Sequence, residues 1–378
     1  VKVSQLTVRS AYEATDYSTL TALQPTLVFA FGSVDALRGA ASALSSAFAD
    51  SHLVGCSTAG EISQQGVEDG SLVVTALRFE HTRVEQVSAI LADMADSFAA
   101  GQRLAQGLEI EGLRAILIFG QGVAINGSAV IGGLASVVGA HVPITGGLAG
   151  DGGAFSKTWV LDDMGLSSDR LVCVGLYGEK LEFSHGSFGG WSPFGPARKV
   201  TRSDNNVLYE LDGESALEVY KKYLGDHAKG LPASGLLFPF AMLGSDHNDV
   251  GLIRTILAVD EASGSLTLAG DIDPNGYLKL MHASTDALVE GAESAAQAAQ
   301  AMHANDNDGL ALLVSCVGRK LVMGGRVDEE VEAVGEVFGR GATLAGFYSY
   351  GEISPFAPSV DCKLHNQTMT ITYLSESA

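Results

Sequence analysis

Basic residues are scarce in this chain, and so are cysteines. Only 23 Lys and Arg stand against 44 Asp and Glu, a net charge of −21. A protein this acidic lacks the basic patches that nucleic acids and anionic membranes require. The four cysteines, Cys56, Cys173, Cys316 and Cys362, lie far apart. They make no CxxC pair, no zinc spacing and no disulfide framework, which points to a reducing cytoplasm. There is no CxxCH for covalent haem attachment, and no HExxH, GxSxG, P-loop or kinase signature. No apolar leader opens the sequence, since Lys2 and Arg9 flank a mixed segment. The one long stretch without charge, residues 115–150, is broken by glycines, Gln121, Asn126 and His141-Val142-Pro143. It reads as a buried strand–helix–strand, because a membrane span wants about 20 apolar residues in a row. A soluble protein is expected.

Glycine, by contrast, is abundant, and part of it sits in a repeated phrase. Gly55-Cys56-Ser57-Thr58-Ala59-Gly60-Glu61-Ile62-Ser63 is answered by Gly346-Phe347-Tyr348-Ser349-Tyr350-Gly351-Glu352-Ile353-Ser354. A weaker third copy, Ala149-Gly150-Asp151, carries the shorter acid. Each follows a short apolar run that reads as the end of a strand: Leu53-Val54, Val142-Pro143-Ile144 and Thr343-Leu344-Ala345. Gly60, Gly150 and Gly351 suit a backbone that needs φ > 0 or a close approach. Glu61, Asp151 and Glu352 suit two roles: binding a ligand in a cleft where the corners converge, or capping local N–H groups.

At 378 residues the chain is expected to form two domains. The run Thr26–Phe31 reads as a strand buried on both faces, and residues 33–49 as a helix capped by Ser33. Ser71–Phe79 and Arg83–Ile90 alternate and read as an antiparallel hairpin across Glu80-His81-Thr82. The same order then recurs with helix 93–106, strand 114–119 and helix 125–138, as a duplicated module of roughly 90 residues would give. The boundary is placed at 212–213: an N-terminal domain, 1–212, holds the two related modules, and a C-terminal domain covers 213–378. The expected class is α/β, two domains of mixed β-sheets packed with helices.

Between the halves lies a segment dense in Gly, Pro and aromatics, Gly189-Gly190-Trp191-Ser192-Pro193-Phe194-Gly195-Pro196. His185 stands just before it. One imidazole with little bulk nearby and large aromatics following could serve as an axial ligand in a porphyrin slot, or be a hinge histidine with an ordinary hydrogen bond. His365, beside Asn366, is a second histidine to consider. A catalytic reading would use Cys56 or Glu61. Buried cysteines are mostly small core residues, so a non-enzymatic protein is expected.

Several stretches resemble the FIST sensory family. They are the corner 55–63, the joining run 189–196 with Val200-Thr201-Arg202, and Leu208-Tyr209-Glu210-Leu211-Asp212-Gly213. Tyr223-Leu224-Gly225, Ser315-Cys316-Val317-Gly318-Arg319-Lys320, the corner through Pro355, and Leu364-His365-Asn366-Gln367-Thr368 complete the set. The resemblance runs from about Thr26 to Leu374, as an N-terminal and a C-terminal FIST domain. It implies a cytoplasmic small-ligand sensor. One branch of the family implies haem b, nitric oxide as the gas ligand, and a separate histidine kinase or cyclic-di-GMP enzyme as partner. His185 would then be the metal ligand, with Trp191 and Phe194 beside the porphyrin. The alternative is a non-haem ligand such as an amino acid, held by the Gly-acid pairs 60–61, 150–151 and 351–352. Self-association is left open.

Overall fold

The computed structural model describes residues 1–9, 15–302, 308–356 and 361–377. The longest apolar runs become its innermost strands. In the first repeat β1 (Lys2–Val8) and β2 (Leu27–Gly32) lead through helix α2 (Val34–Ala47) to β3 (His52–Ser57), α1 (Ser18–Thr21) lying before β2. The short hairpin β4 (Glu61–Ser63) and β5 (Gly66–Glu68) follows, then β6 (Leu72–Arg78). The second repeat has β7 (Arg83–Ile90), α3 (Ser97–Gly107), β8 (Leu113–Gly120), α4 (Gly127–Val138) and β9 (Ile144–Leu148). Its hairpin is β10 (Val160–Asp162) and β11 (Gly165–Ser167), and it closes with β12 (Arg170–Tyr177). Strand β13 (Leu181–Phe188) then opens a third repeat.

An inserted region separates β13 from the rest of that repeat. Its nine-stranded sheet comprises β14 (Ser192–Pro193), β15 (Arg198–Asp204), β16 (Val207–Leu211), β17 (Glu214–Ser215) and β18 (Phe240–Leu243). It continues with β19 (Asp249–Arg254), β20 (Ile256–Asp260), β21 (Ser265–Leu268) and β22 (Tyr277–His282). Helix α5 (Ala216–Leu224) packs on it around a core of its own that includes Leu217, Tyr220, Phe240 and Leu278. The third repeat resumes with α6 (Thr285–Ala301), β23 (Gly309–Cys316), α7 (Val317–Met323), α8 (Asp328–Phe338) and β24 (Ala342–Ser349). It ends with β25 (Gly351–Pro355), β26 (Cys362–His365) and β27 (Met369–Glu376).

Three six-stranded sheets follow from this order, and all are wired alike: β1-β6-β2-β3-β10-β11, β7-β12-β8-β9-β25-β26 and β13-β27-β23-β24-β4-β5. In each, one parallel pair (β2·β3, β8·β9, β23·β24) is flanked by antiparallel strands. The hairpin at the edge always comes from another repeat. The first repeat lends its hairpin to the third sheet, the second to the first, and the third to the second, closing a ring. The α/β class with mixed sheets packed by helices is as expected. The duplication seen in the sequence is two-thirds of a triplication whose last copy lies in the C-terminal half.

One expectation is corrected. Strands β6 and β7 are not a hairpin: β6 pairs with β1 and β2, while β7 pairs with β12 in the next sheet. The turn between them is held from outside, its three N–H groups at Glu80, His81 and Thr82 all donating to the Glu376 carboxylate at 2.7–2.8 Å. Across residues 212–213 the chain turns between β16 and β17, which pair with each other.

The ring encloses a core shared by all three sheets, with Leu27, Phe29 and Phe31 from β2, Leu117 and Phe119 from β8, and Leu312 and Val314 from β23. Phe31 stacks on Phe347 at 4.7 Å and tilts against Phe119 at 5.6 Å. Helices cover the outside: α2 on the first sheet, α3 and α4 on the second, α6 and α8 on the third. Among the described residues no helix is long and apolar enough to cross a membrane.

Candidate functional site

The three corners leave the C-terminal ends of the three parallel pairs, so the ring brings them to one end of the shared core. There they bond to one another. Gly150 N–H donates to Ser57 O at 2.8 Å, and Gly152 N–H to Thr58 O at 3.0 Å. Ala59 N–H donates to Tyr348 O at 2.8 Å, and Tyr350 N–H to Leu148 O at 3.1 Å. The convergence expected from the sequence is therefore real, although the residues play unequal parts in it.

Glu61 and Glu352 occupy matching positions. Glu61 is 1% exposed and accepts from the Thr58 hydroxyl, from Ser71 N–H and from Ser71 Oγ, the last two at 2.8 Å. Glu352 is fully buried and accepts from Ser349 Oγ at 2.7 Å, Thr368 N–H at 3.2 Å and Thr368 Oγ1 at 3.0 Å. In both, a hydroxyl three residues earlier and a hydroxyl residue after the hairpin clasp the carboxyl. Their role is to tie the hairpin to its corner. Asp151 is not the third member of this set. In the second repeat the register that places Ile62 opposite Gly346 and Ile353 opposite Gly146 places Leu161 opposite Gly55. The position matching Glu61 is thus Val160. Asp151 belongs to an added loop, where it caps the N–H groups of Phe155, Ser156 and Lys157 at 2.8–2.9 Å and accepts from the Tyr350 hydroxyl.

The glycines divide in the same way. Gly60 has φ +138°, whereas Gly150 and Gly351 have no left-handed φ. Gly150 is required by close approach instead, because a Cβ there would lie 2.7 Å from Ala59 N.

Burial raises the pKa of Glu61, and lifts that of Glu352 from 4.5 to about 8. A carboxyl that ionises later in the folded state than in the unfolded chain holds its proton while the unfolded chain loses it. Its stabilising contribution is therefore complete below pH 4.5 and lost as pH rises to about 8. The Glu352→Gln variant, which cannot ionise, should lack this slope. Urea denaturation at pH 5 and pH 8 checks it: the parent should lose stability relative to the variant between the two, and parallel behaviour would remove the assignment.

Beside the corners opens a crevice of about 600 Å3 to which all three repeats contribute. The first repeat supplies the start of α2 (Ser33, Val34, Asp35) and the corner Thr58-Ala59-Gly60-Glu61; the second supplies Asp151-Gly152-Gly153; the third supplies Val317, Lys320 and Leu321 of α7. Lys320 Nζ donates to Ala59 O at 2.8 Å and pairs with Asp69. Asp35 is exposed in the first turn of α2, whose Ser33 cap accepts from Ala36 N–H at 3.3 Å. The crevice thus offers carboxylates, one ammonium group and a helix N-terminus within one space. Gly351 and Glu352 stand apart from its lining. Asp35 and Lys320 were missed as site residues. Asp35 reads as an ordinary first-turn acid, and only the fold brings Lys320, distant in sequence, against the first corner.

The residues expected around haem do not assemble. Gly186 packs on α6, where a Cβ would meet Ala295 O at 2.0 Å, so the neighbouring His185 points to the opposite face of β13, toward the shared core. His185 is 1% exposed, neither ring nitrogen has a hydrogen-bond partner among the described residues, and burial lowers its pKa to about 4. Trp191 gives its Nε1–H to Gln367 O at 2.8 Å. Phe194 belongs to the inserted region, 6.2 Å from Phe238 and 5.6 Å from His282. His185 against the shared core, Trp191 bonded to Gln367 and Phe194 in the inserted region do not line one porphyrin slot. His365 is bonded through Nε2 to Ser354 O at 2.8 Å and is structural. All four cysteines are buried, and burial pushes each thiol pKa up, as in unreactive core cysteines.

The protein is a triplicated α/β ring with an inserted sheet and a crevice at its converging corners. Residues 26–214 match the FIST N domain and residues 216–355 the FIST C domain. The chain belongs to the FIST family, whose domains are signal-transduction sensor domains. It is similar to an uncharacterized protein of Mycobacterium tuberculosis (strain ATCC 25618 / H37Rv), 27% identical over 54% of this chain and 56% of that protein. An uncharacterized protein of Methanocaldococcus jannaschii is 34% identical over 23% of this chain and 17% of that protein. The chain spans less than two thirds of the length of either relative. Among solved structures, a cyanuric acid hydrolase from A. caulinodans is similar at a TM-score of 0.37 and 9% identity, over 100% of this chain and 99% of that one. A second cyanuric acid hydrolase gives 0.36 and 10%. Because both are hydrolases, the expectation of a non-enzymatic protein is withdrawn; at so low a TM-score neither activity nor site passes to this chain.

Proposed function

We propose that this protein senses a small zwitterionic ligand, an amino acid being the simplest of that class, in the crevice at the converging corners. One observation carries the reading: a single space of about 600 Å3 is walled by all three repeats, so its occupant touches every part of the ring. A ligand ammonium group suits the acidic side, where Asp35 is open to it. A ligand carboxylate suits the first-turn N–H groups of α2 and Lys320. Binding would lock the repeats in one arrangement, and a separate histidine kinase or cyclic-di-GMP enzyme would read that arrangement. Haem-borne nitric-oxide sensing is not part of the reading, because the packing of His185 does not support it.

The test is a thermal-shift screen of the twenty amino acids. At a ligand concentration 100 times Kd, binding should stabilise the fold by about 2.7 kcal/mol. Asp35→Asn, on the surface, should weaken the responding ligand at least tenfold with the fold intact. A flat screen, or a response that Asp35→Asn leaves unchanged, would remove the proposal.

A further inference from the structure

A second cavity lies on the other side of Tyr350, between the start of α4 and the inserted sheet, with a volume of about 210 Å3. Its chemistry differs from that of the crevice. Among the described residues its lining holds no Asp, Glu, Lys or Arg. Met94 and Leu257, 45% and 43% exposed, form an apolar rim, and Asn126, Asn206 and Asn366 bring polarity to the interior. Asn366 is 1% exposed, and among the described residues its Oδ1 has no hydrogen-bond partner. A buried acceptor left unpaired in a folded protein calls for a donor.

The wall behind the cavity narrows the class of ligand. Arg254, 3% exposed, gives Nη1–H to Leu364 O at 3.2 Å and Nε–H to Asp271 O at 3.1 Å. Leu364 and Gly270 line the cavity, and a Cβ on Gly270 would lie 2.9 Å from Arg254 Nε. The buried guanidinium is offset by the Asp271 carboxylate, which accepts from Asn126 Nδ2 at 3.2 Å, so the wall presents no uncompensated charge to hold a cation. An anion, in turn, finds no cationic side chain in the lining, and desolvating its charge is costly.

We infer that this cavity is a second ligand site, for a small neutral molecule with an amide-type N–H and an apolar face. The N–H pairs with the Asn366 carboxamide, and the apolar face lies under Met94 and Leu257. The two sites share a wall. Tyr350 lines this cavity, while its hydroxyl bonds Asp151 and accepts from Gly153 N–H at 2.9 Å, both on the wall of the crevice. The inference rests on this cavity alone and stands or falls independently of the crevice's occupant.

Benzamide, a neutral ring with a carboxamide, is the probe, titrated into the full chain by calorimetry. With nine non-hydrogen atoms it should bind saturably with a Kd on the order of 1 mM. Benzoate, which has no N–H and carries a charge, should bind at least tenfold more weakly. Leu257→Trp, a rim change that the exposed position accommodates, should weaken benzamide at least tenfold by closing the mouth. Asn366→Leu should do so at least fivefold, and folding of both variants is checked by far-ultraviolet circular dichroism. Binding of benzamide to Leu257→Trp with the parent's affinity, equal binding of benzoate, or no saturation by about 20 mM would overturn the inference.

Discussion

Gly146→Ala should be among the most damaging single-methyl additions in this protein. Gly146 lies in β9 with φ +138°, and a Cβ there would sit 1.9 Å from Ile118 O on the paired strand β8. The left-handed backbone alone costs roughly 1–3 kcal/mol for a residue with a side chain. Displacing a backbone carbonyl in a packed sheet adds about 1–3 kcal/mol of overpacking. The site also has no room on its other side, since Gly146 faces Ile353 of the borrowed strand β25. Gly55 and Gly346 hold the matching places, each with a Cβ position 1.8 Å from the carbonyl oxygen of Ala30 or Leu313. They should follow the same trend without the contribution from φ. Gly325→Ala is the control: among the described residues nothing lies within 4 Å of its Cβ position, and it should stay within about 0.5 kcal/mol of the parent. Urea midpoints measure all four. A Gly146→Ala midpoint close to that of Gly325→Ala would mean that β8 and β9 do not pack as closely as described.

The second large effect belongs to Glu330. It lies fully buried on α8 and pairs with the fully buried Arg319 of α7 at 2.8 Å. Ser315 Oγ and Tyr348 Oη also donate to it, at 2.9 and 2.6 Å. Arg319 further donates to Leu288 O at 2.8 Å and to Gly189 O, so the pair anchors both ends of the inserted region. Glu330→Ala leaves a guanidinium in the core without its counter-charge, and the expected loss is about 3–5 kcal/mol. The double variant Arg319→Met with Glu330→Leu should recover much of it, because removing both charges removes the desolvation problem as well. A Glu330→Ala protein within about 1 kcal/mol of the parent, or a double variant no better than the single one, would show that the pair is hydrated in solution.

Much of the site was legible in the sequence, for a local reason. The Gly-Glu-Ile-Ser phrase recurs because each copy must do the same thing within a few residues: leave a parallel strand, turn, and clasp its own carboxyl with the hydroxyl three places earlier. Thr58 serves Glu61 in this way and Ser349 serves Glu352. The third copy was harder to place. Ala149-Gly150-Asp151 looks like the phrase, yet an added loop separates it from β10, and Val160 holds the position of the acid. A similarity over three residues has no means of marking such an insertion. His185 shows another limit. Its neighbours in sequence, glycines and aromatics, suggested an open slot, but strand alternation turned Gly186 to α6 and His185 to the shared core.

By itself the sequence determined the α/β class, the strands buried on both faces, the helix caps and the corners, since these depend on periodicity and on contacts a few residues apart. It also determined the acidic charge balance and the absence of a cysteine framework. Only the tertiary structure decided which sheet each strand joins. Alternation marks β6 and β7 as half-buried strands but is satisfied by any partner that covers the apolar face. The exchange of hairpins around the ring, the meeting of Asp35 with Lys320 across the crevice, and the burial of Arg319 against Glu330 all join residues far apart in the chain. Those choices are made by the total surface removed from water when three sheets close on one core, a quantity that no local stretch of sequence contains.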